Sequence, residues 1–338
     1  MPIIDNAVYV DGVRSADPAD LSQTYDLVRA RRGFGWIGLY RPDPPELQAV
    51  ADEFSLHPLA VEDAQEGHQR PKIERYGDDR FAVLRAARYI DEEERVEFGE
   101  VDLFLGADFV VVVRHSEAPD LKAVRARLEA EPKLLATGPL AVLYGVADRV
   151  VDDYGPVVNG LENDIDEIED QLFAGESSVS QRIYELTREV ITFQRAIAPL
   201  SGLLEQVRAE IDGNEALIEV RRGLRDVLDH VTRIQERVEG FRVLLQNALT
   251  VNSTLVGQRQ NDQIEKLTRD SFEQANQVKK VSSWAAIGFF PASLASIWGM
   301  NFQDMPELHW RYGYFMFLGV ISVIMVALYT GFKRNRWL

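Results

Sequence analysis

The sequence predicts an α+β membrane protein, in which an N-terminal α/β/α domain precedes a long helical stalk and a hairpin of two transmembrane helices. Two uncharged stretches predict the hairpin: 23 residues from Val281 to Gln303 and 21 residues from Tyr312 to Phe332. Each is close to the roughly 20 residues that span a bilayer core. Two buried helices of a large soluble core are the alternative interpretation.

The first 137 residues mix strand-like and helix-like patterns, which is typical of an α/β domain. Helix-like stretches cover residues 17–31, 45–55 and 118–131. The strand-like apolar runs are Ala7–Val10, Trp36–Tyr40, Phe81–Ala86, Val101–Leu105 and Phe109–Val113.

Residues 138–212 are predicted to form an acidic helical hairpin region, because a helical apolar pattern begins after Thr137-Gly138-Pro139. The apolar positions are Leu143, Ala147, Val150, Tyr154, Val157 and Leu161. Six carboxylates follow between Glu162 and Asp170. They are interpreted either as a solvated helix face or as a surface that attracts cations.

Residues 213–280 are predicted to form the stalk helix, which follows the turn signal Asp212-Gly213-Asn214. No proline occurs between Pro199 and Pro291, so one helix can continue into the first membrane span. Apolar residues recur in steps of three and four at Leu217, Val220, Leu224, Val227, Val231, Ile234, Val238, Phe241, Leu245 and Ala248. This seam requires a helical partner, which is either the preceding helices of the same chain or copies of this helix in an oligomer.

The C-terminal part divides into a first transmembrane helix at 281–303, an outer loop at 304–311, a second transmembrane helix at 312–332 and a basic tail at 333–338. Lys279 and Lys280 precede the first span, and three basic residues follow the second. By the positive-inside rule, both termini lie in the cytoplasm and the short loop lies outside.

The charge is distributed unevenly and excludes several classes of function. The chain carries −17, but residues 281–338 contain four basic and two acidic residues, so residues 1–280 carry −19. Such a body repels nucleic acid and attracts divalent cations. The chain has no cysteine and five histidines without paired-ligand spacing, so neither a thiolate metal site nor an enzyme is predicted.

The most informative motif is Gly299-Met300-Asn301, which closes the first membrane span and is followed by Phe302 and then Met305-Pro306-Glu307-Leu308. In these residues the chain resembles the CorA family of magnesium and cobalt transport proteins. The resemblance extends over most of the chain. Further similar segments are Leu56–Asp63, His68-Gln69-Arg70-Pro71-Lys72, Asp152-Asp153-Tyr154, Arg225-Asp226-Val227, Ser283–Ile287 and Lys333–Leu338.

The resemblance implies a homopentameric, passive ion channel in the cell membrane whose selectivity filter is Gly299, Met300 and Asn301. Asp304 and Glu307 in the outer loop would concentrate cations. Below the filter, residues at helical spacing are predicted to form one pore-facing stripe that contains the gate: Val278, Val281, Ala285, Phe289, Ala292 and Ser296. Phe289 and Ala292 depart from residues that are common in the family, which leaves the polar positions of the pore and the gate width open. Trp298 replaces the commoner tyrosine before the motif, which is a mild change.

The resemblance also implies regulatory magnesium sites between adjacent cytoplasmic domains, with Asp63 and Asp226 at one site and Glu62 and Asp148 at the other. Without it, Glu62 and Asp63 are interpreted as ordinary surface acids. The expected ion is Mg²⁺, and Co²⁺, Ni²⁺ or Zn²⁺ remain alternatives because transition metals bind most ligand sets more strongly. A membrane-tethered metal sensor or scaffold that does not conduct ions is the alternative of another class.

Overall fold

The computed structural model describes residues 3–176, 178–300 and 310–338. The predicted filter residue Asn301 and the outer-loop residues Asp304 and Glu307 therefore lie outside the described residues. The chain forms two compact units, Met1–Asn252 and Ser253–Leu338.

A mixed seven-stranded sheet forms the centre of the N-terminal domain. The strands are β1 (Ile3–Val10), β2 (Val13–Ala16), β3 (Phe34–Tyr40), β4 (Lys72–Tyr76), β5 (Asp79–Ile90), β6 (Arg95–Leu105) and β7 (Phe109–Arg114). Their order in the sheet is β2-β1-β3-β7-β6-β5-β4. Strands β3 and β7 are parallel, and every other neighbouring pair is antiparallel. The apolar runs predicted from the sequence all lie in strands.

Three helices cover one face of the sheet: α1 (Leu21–Arg31), α2 (Pro44–Phe54) and α3 (Pro58–Glu66). The start of α2 is fixed by a capping box between Asp43 and Glu46, and α3 begins with the His57 ring accepting a hydrogen bond from the Leu59 amide. Their apolar residues pack with those of the strands in one buried core that contains Leu47, Phe54, Val61, Phe81 and Val113.

The opposite face is covered by α4 (Leu121–Glu129), α5 (Pro132–Leu135) and α6 (Pro139–Ala174). The buried Tyr154 hydroxyl of α6 donates a hydrogen bond to the backbone carbonyl of Arg85 in β5. On α4, the Arg125 guanidinium lies 3.9 Å from the centre of the Trp36 ring. Helices therefore cover both faces, which confirms the predicted α/β/α domain.

The helical region continues with α7 (Val179–Ile197), α8 (Leu200–Glu210) and α9 (Ile218–Trp298). Nearly all of the predicted seam residues of α9 are buried, from Val220 to Ala248. The Gln235 amide donates to the carbonyl of Ile197 at 3.0 Å, and the Asn252 amide donates to the Ser180 hydroxyl at 2.6 Å. Along this part of α9, the partner of the seam is therefore formed by the preceding helices of the same chain.

The second unit contains the remainder of α9 and the helix α10 (Gly313–Arg334). Both α9 and α10 are long and apolar enough to cross a membrane. They contact one another through Trp298 and Phe317, whose ring centroids are 4.7 Å apart. On α9, Ile264, Leu267 and Phe272 are exposed within the single chain.

Candidate functional site

The first apolar helix ends at the predicted filter. The Gly299 amide donates to the Ala295 carbonyl at 3.0 Å, and the Met300 amide donates to the Ile297 carbonyl at 3.2 Å. These bonds extend the helical hydrogen bonding up to Met300, immediately before Asn301. Gly299 is exposed, so its backbone is accessible to a ligand.

The predicted pore stripe lies along one uncovered face of α9. Val278, Val281 and Phe289 are 59%, 69% and 72% exposed, and Ala285, Ala292 and Ser296 are also exposed. Trp298 points instead toward α10, where it contacts Phe317. The predicted stripe is therefore exposed to the surroundings within the single chain.

Asp63 already has a cationic partner within the chain. It lies near the end of α3, and its carboxylate accepts a hydrogen bond from Lys72 Nζ at 2.7 Å. The same ammonium lies 3.1 Å from Glu74. Burial lowers the pKa of Lys72, but the hydrogen bonds to the two carboxylates outweigh burial, so the pKa is raised. A metal ion at Asp63 would compete with a firmly protonated lysine.

Asp148 also has a partner. Its buried carboxylate forms an ion pair with Arg127 of α4. One helical turn later on α6, burial raises the pKa of Asp152, and the negative charge of Asp148 raises it further. An acidic region therefore lies on this part of α6, partly neutralised by Arg127 and by Arg149, which pairs with Asp153.

Asp226 and Glu62 are exposed. One Asp226 carboxylate oxygen lies 4.0 Å from Nε2 of His230, one turn later on α9. All four predicted regulatory carboxylates lie in the described part of the chain. Within it, no hydrogen bond or ion pair joins Asp63 to Asp226 or Glu62 to Asp148.

The acidic segment of α6 is partly used for intramolecular ion pairs. Arg182 of α7 lies 3.5 Å from Asp164, 2.6 Å from Glu167 and 2.9 Å from Glu94. Carboxylate oxygens of the three acids lie within 4.8 Å of one another. Burial raises the pKa of Asp164 to about 6. Through these ion pairs, Arg182 joins α7 to Asp164 and Glu167 of α6 and to Glu94 just before β6.

Sequence reasoning missed a second acidic group, which is buried beneath α3. Asp102 in β6 is fully buried, and one of its oxygens lies 3.1 Å from Nε2 of His115. Burial raises the pKa of Asp102 to about 7. Among the described residues, the Oδ1 atom of Asp102 and the Oε1 atom of its buried neighbour Glu100 have no hydrogen-bond partner. The sequence signal that could have revealed this group is the presence of two acidic residues, Glu100 and Asp102, in a strand that is otherwise largely apolar.

A family model described as CorA-like Mg²⁺ transporter protein matches residues 31–334, which is most of the chain. The chain belongs to the CorA family. Within this family, a protein of Bacillus subtilis (strain 168) named "Putative metal ion transporter YfjQ" is 32% identical over 304 residues, covering 89% of each chain. The "Cobalt/magnesium transport protein CorA" of Thermotoga maritima is 30% identical over 311 residues, covering 90% of this chain and 83% of the relative.

The solved structure of the CorA magnesium transporter from Methanocaldococcus jannaschii has the same fold. It aligns with a TM-score of 0.56 at 18% identity and covers 90% of this chain and 92% of its own. The protein is thus a CorA-family divalent metal ion transporter with two candidate membrane helices, and it is not an enzyme.

Proposed function

We propose that this CorA-family chain is a passive magnesium channel of the cell membrane, formed by five copies and closed by intracellular Mg²⁺. The observation that supports the filter most directly is the position of Gly299-Met300-Asn301, which begins immediately where the long apolar helix α9 ends. In this proposal α9 lines the pore and both termini lie in the cytoplasm.

Selection would depend on the hydration shell of the ion. Mg²⁺ is small and loses water reluctantly, so a pore can recognise the ion with its waters still bound. Those polarised waters donate hydrogen bonds. A ring of Asn301 carboxamide oxygens and Gly299 carbonyls would accept them, without the tight binding that a ring of carboxylates produces.

Conduction requires no chemical energy source, because the membrane potential drives a divalent cation inward. At about 2.3 kcal/mol per charge per 100 mV, an ion of charge two gains about 4.6 kcal/mol. The exposed apolar stripe from Val278 to Phe289 would form the closed barrier, since narrow hydrophobic constrictions exclude water.

Closing would use carboxylates from neighbouring copies. Asp63 with Asp226 and Glu62 with Asp148 would repel one another when the sites are empty, although Lys72 and Arg127 offset part of the charge of Asp63 and Asp148. Mg²⁺ would bridge the pairs when its concentration is high. Two features of the fold support an interface between copies for these sites. Among the residues that the structure describes, no hydrogen bond joins the two members of either pair, and Asp226 and Glu62 are exposed.

Magnesium uptake by proteoliposomes that contain the full chain tests the filter. We expect Asn301→Ala to abolish most uptake, whereas Asn335→Ala should leave uptake unchanged. Asn335 provides a matched control because it is exposed and lies just beyond the basic end of α10. Equal uptake by wild type and Asn301→Ala would contradict the filter assignment.

The same assay identifies the ion. Competition with Co²⁺, Ni²⁺ and Zn²⁺ measures whether a transition metal passes in preference to Mg²⁺. The lack of cysteine near the pathway favours the hard ion. Absence of flux for all four metals in the wild type would instead support the sensor or scaffold.

A further inference from the structure

A cationic cavity of about 520 Å³ lies in the first unit. It is bounded by the segment that precedes β4, by β5 and β6, and by the junction of α7 and α8. The residues that line it include His68, Arg70, Arg85 and Arg195 but no aspartate or glutamate. This composition contrasts with the −19 charge of residues 1–280.

Two of the arginines have no partner in the part of the chain that the structure describes. Arg70 and Arg195 are exposed, and neither forms a hydrogen bond or an ion pair with a described residue. They approach the cavity from different elements, because Arg70 precedes β4 and Arg195 lies in the last turn of α7. No intramolecular structural role therefore explains why these charges meet here.

The third arginine is already held in position. The Arg85 guanidinium lies 3.3 Å from the buried Glu100 carboxylate and 5.7 Å from the centre of the Phe98 ring. A guanidinium that is fixed in this way binds an anion with less loss of side-chain entropy. Phe98, Ala196 and Pro199 provide an apolar part of the same wall.

We propose that this cavity binds a small molecule that carries a phosphate group. Planar guanidinium groups match the oxygens of phosphate in two-pronged hydrogen bonds. A cavity of 520 Å³ is within the range of small-molecule sites and is larger than one phosphate requires. The remaining volume beside Phe98 would accept an organic part such as a nucleoside.

Two probes distinguish a free phosphate from a nucleotide. Inorganic phosphate tests the charged part alone, and adenosine monophosphate adds a base and a sugar. Adenosine without phosphate is the uncharged control. Binding to the full chain in detergent is measured by calorimetry in magnesium-free, phosphate-free buffer, so the result does not depend on ion conduction.

Arg195→Gln is the central variant, and Arg188→Gln is its matched control. Both arginines are exposed residues of α7, and neither side chain has a hydrogen-bond or ion-pair partner in the described structure, but only Arg195 lines the cavity. We expect Arg195→Gln and Arg70→Gln each to weaken adenosine monophosphate binding about tenfold, the loss of one charge-assisted pair. Arg188→Gln should bind as the wild type does.

Tighter binding of adenosine monophosphate than of phosphate would support a nucleotide-sized ligand, and equal affinity would support recognition of phosphate alone. Adenosine should not bind. The proposal is overturned if neither phosphate compound binds the wild type, or if the two cavity variants bind as tightly as Arg188→Gln.

Discussion

The contact with Lys72 changes the interpretation of Asp63 more than any other feature of the structure does. The family resemblance implies that Asp63 binds a regulatory metal ion, whereas the folded chain places the Lys72 ammonium 2.7 Å from its carboxylate. The lysine satisfies the carboxylate when no metal is bound, and it must move or lose its contact when one binds. Its charge therefore helps to set the magnesium concentration at which the proposed site fills.

Replacement of Lys72 by glutamine should tighten regulatory magnesium binding. The pair is about one quarter exposed on each side, so we expect a two- to fivefold decrease in the inhibitory Mg²⁺ concentration, about the strength of a partly exposed ion pair. Uptake into proteoliposomes at graded internal Mg²⁺ measures this shift. Lys122→Gln removes an exposed lysine elsewhere and should leave the curve in place; a shift of the same size there would refute the role of Lys72.

The raised pKa of Asp102 predicts that the stability of the folded chain depends on pH. Its pKa is about 7 in the folded chain and near 4 when unfolded, so the folded chain binds one more proton between these values. Stability should therefore fall as the pH rises from 4 to 7. The hydrogen bond to Asp102 raises the pKa of His115 more than burial lowers it, and this is the same interaction seen from the histidine.

Asp102→Asn should remove most of this dependence, because an amide resembles the protonated acid. We expect the variant to match the wild type at pH 5 and to exceed it at pH 8 by on the order of 3 kcal/mol. Thermal unfolding of the full chain in detergent across this range provides the measurement. Asp166→Asn, at an exposed position of α6, is the control. Parallel curves for Asp102→Asn and the wild type would contradict the explanation.

At the level of elements, the sequence predicts the inner strands and misses both edges of the sheet. The apolar runs in β3, β6 and β7 are unmistakable because helices cover both faces of these strands. The edge strands β2 and β4 were not predicted. None of the four side chains of β2 is buried, and Ile73 alone is buried in β4. Strands with so little buried surface leave almost no hydrophobic signal.

The candidate site, too, could be predicted only in part from the sequence. Family resemblance alone points to the acids at 62, 63, 148 and 226 as regulatory residues, and the partners of Asp63 and Asp148 arise from tertiary packing. Lys72 follows Asp63 after a turn into β4, and Arg127 reaches Asp148 from a different helix. No periodicity in the sequence links these charges. The cavity at Arg70 and Arg195 was missed for the same reason.

The packing of α6 on β5 depends on Gly160. A Cβ atom at this position would lie 2.2 Å from the ring of Tyr89, whose hydroxyl is bonded to Asp164 on the same helix. The ring cannot withdraw without breaking that bond. We expect Gly160→Ala to lower the free energy of unfolding by about 1–3 kcal/mol.

Gly202→Ala in α8 is the comparison, because nothing lies within 4 Å of a Cβ atom there. Its stability should be unchanged or raised, by at most about 1 kcal/mol. Chemical denaturation of both variants measures the difference. Equal stabilities would show that α6 can shift away from β5 at little cost.

Across the whole molecule, the acidic residues fall into two groups with different roles. Some of the acidic residues form ion pairs within the chain, such as Asp164 and Glu167 with Arg182. Other carboxylates, including Asp226 and Glu62, remain exposed on the surface and attract cations at low ionic strength. Regulation by magnesium should depend on particular acids and not on the total charge.

Paired removal of acids tests this distinction. Asp63→Ala with Asp226→Ala should raise the inhibitory internal Mg²⁺ concentration about tenfold, in the range of typical coupling between sites. Asp166→Ala with Asp170→Ala removes the same charge from exposed positions of α6 and should change the curve little. Uptake at graded internal Mg²⁺ measures the inhibitory concentration for both double variants. Equal shifts of the two variants from the wild-type curve would show that net charge alone matters.

The short segment from His68 to Lys72 connects three sites in the first unit. Arg70 lines the cationic cavity, the Gln69 amide donates to Glu100 at 2.8 Å, and Lys72 holds Asp63. A phosphate compound at one end and a metal ion at the other would therefore act on the same five residues. Thermodynamic reciprocity then applies: whatever factor the phosphate compound imposes on magnesium affinity, magnesium must impose on the affinity for the phosphate compound. In the proposed channel, this segment would couple the binding of a phosphate compound to regulation by magnesium.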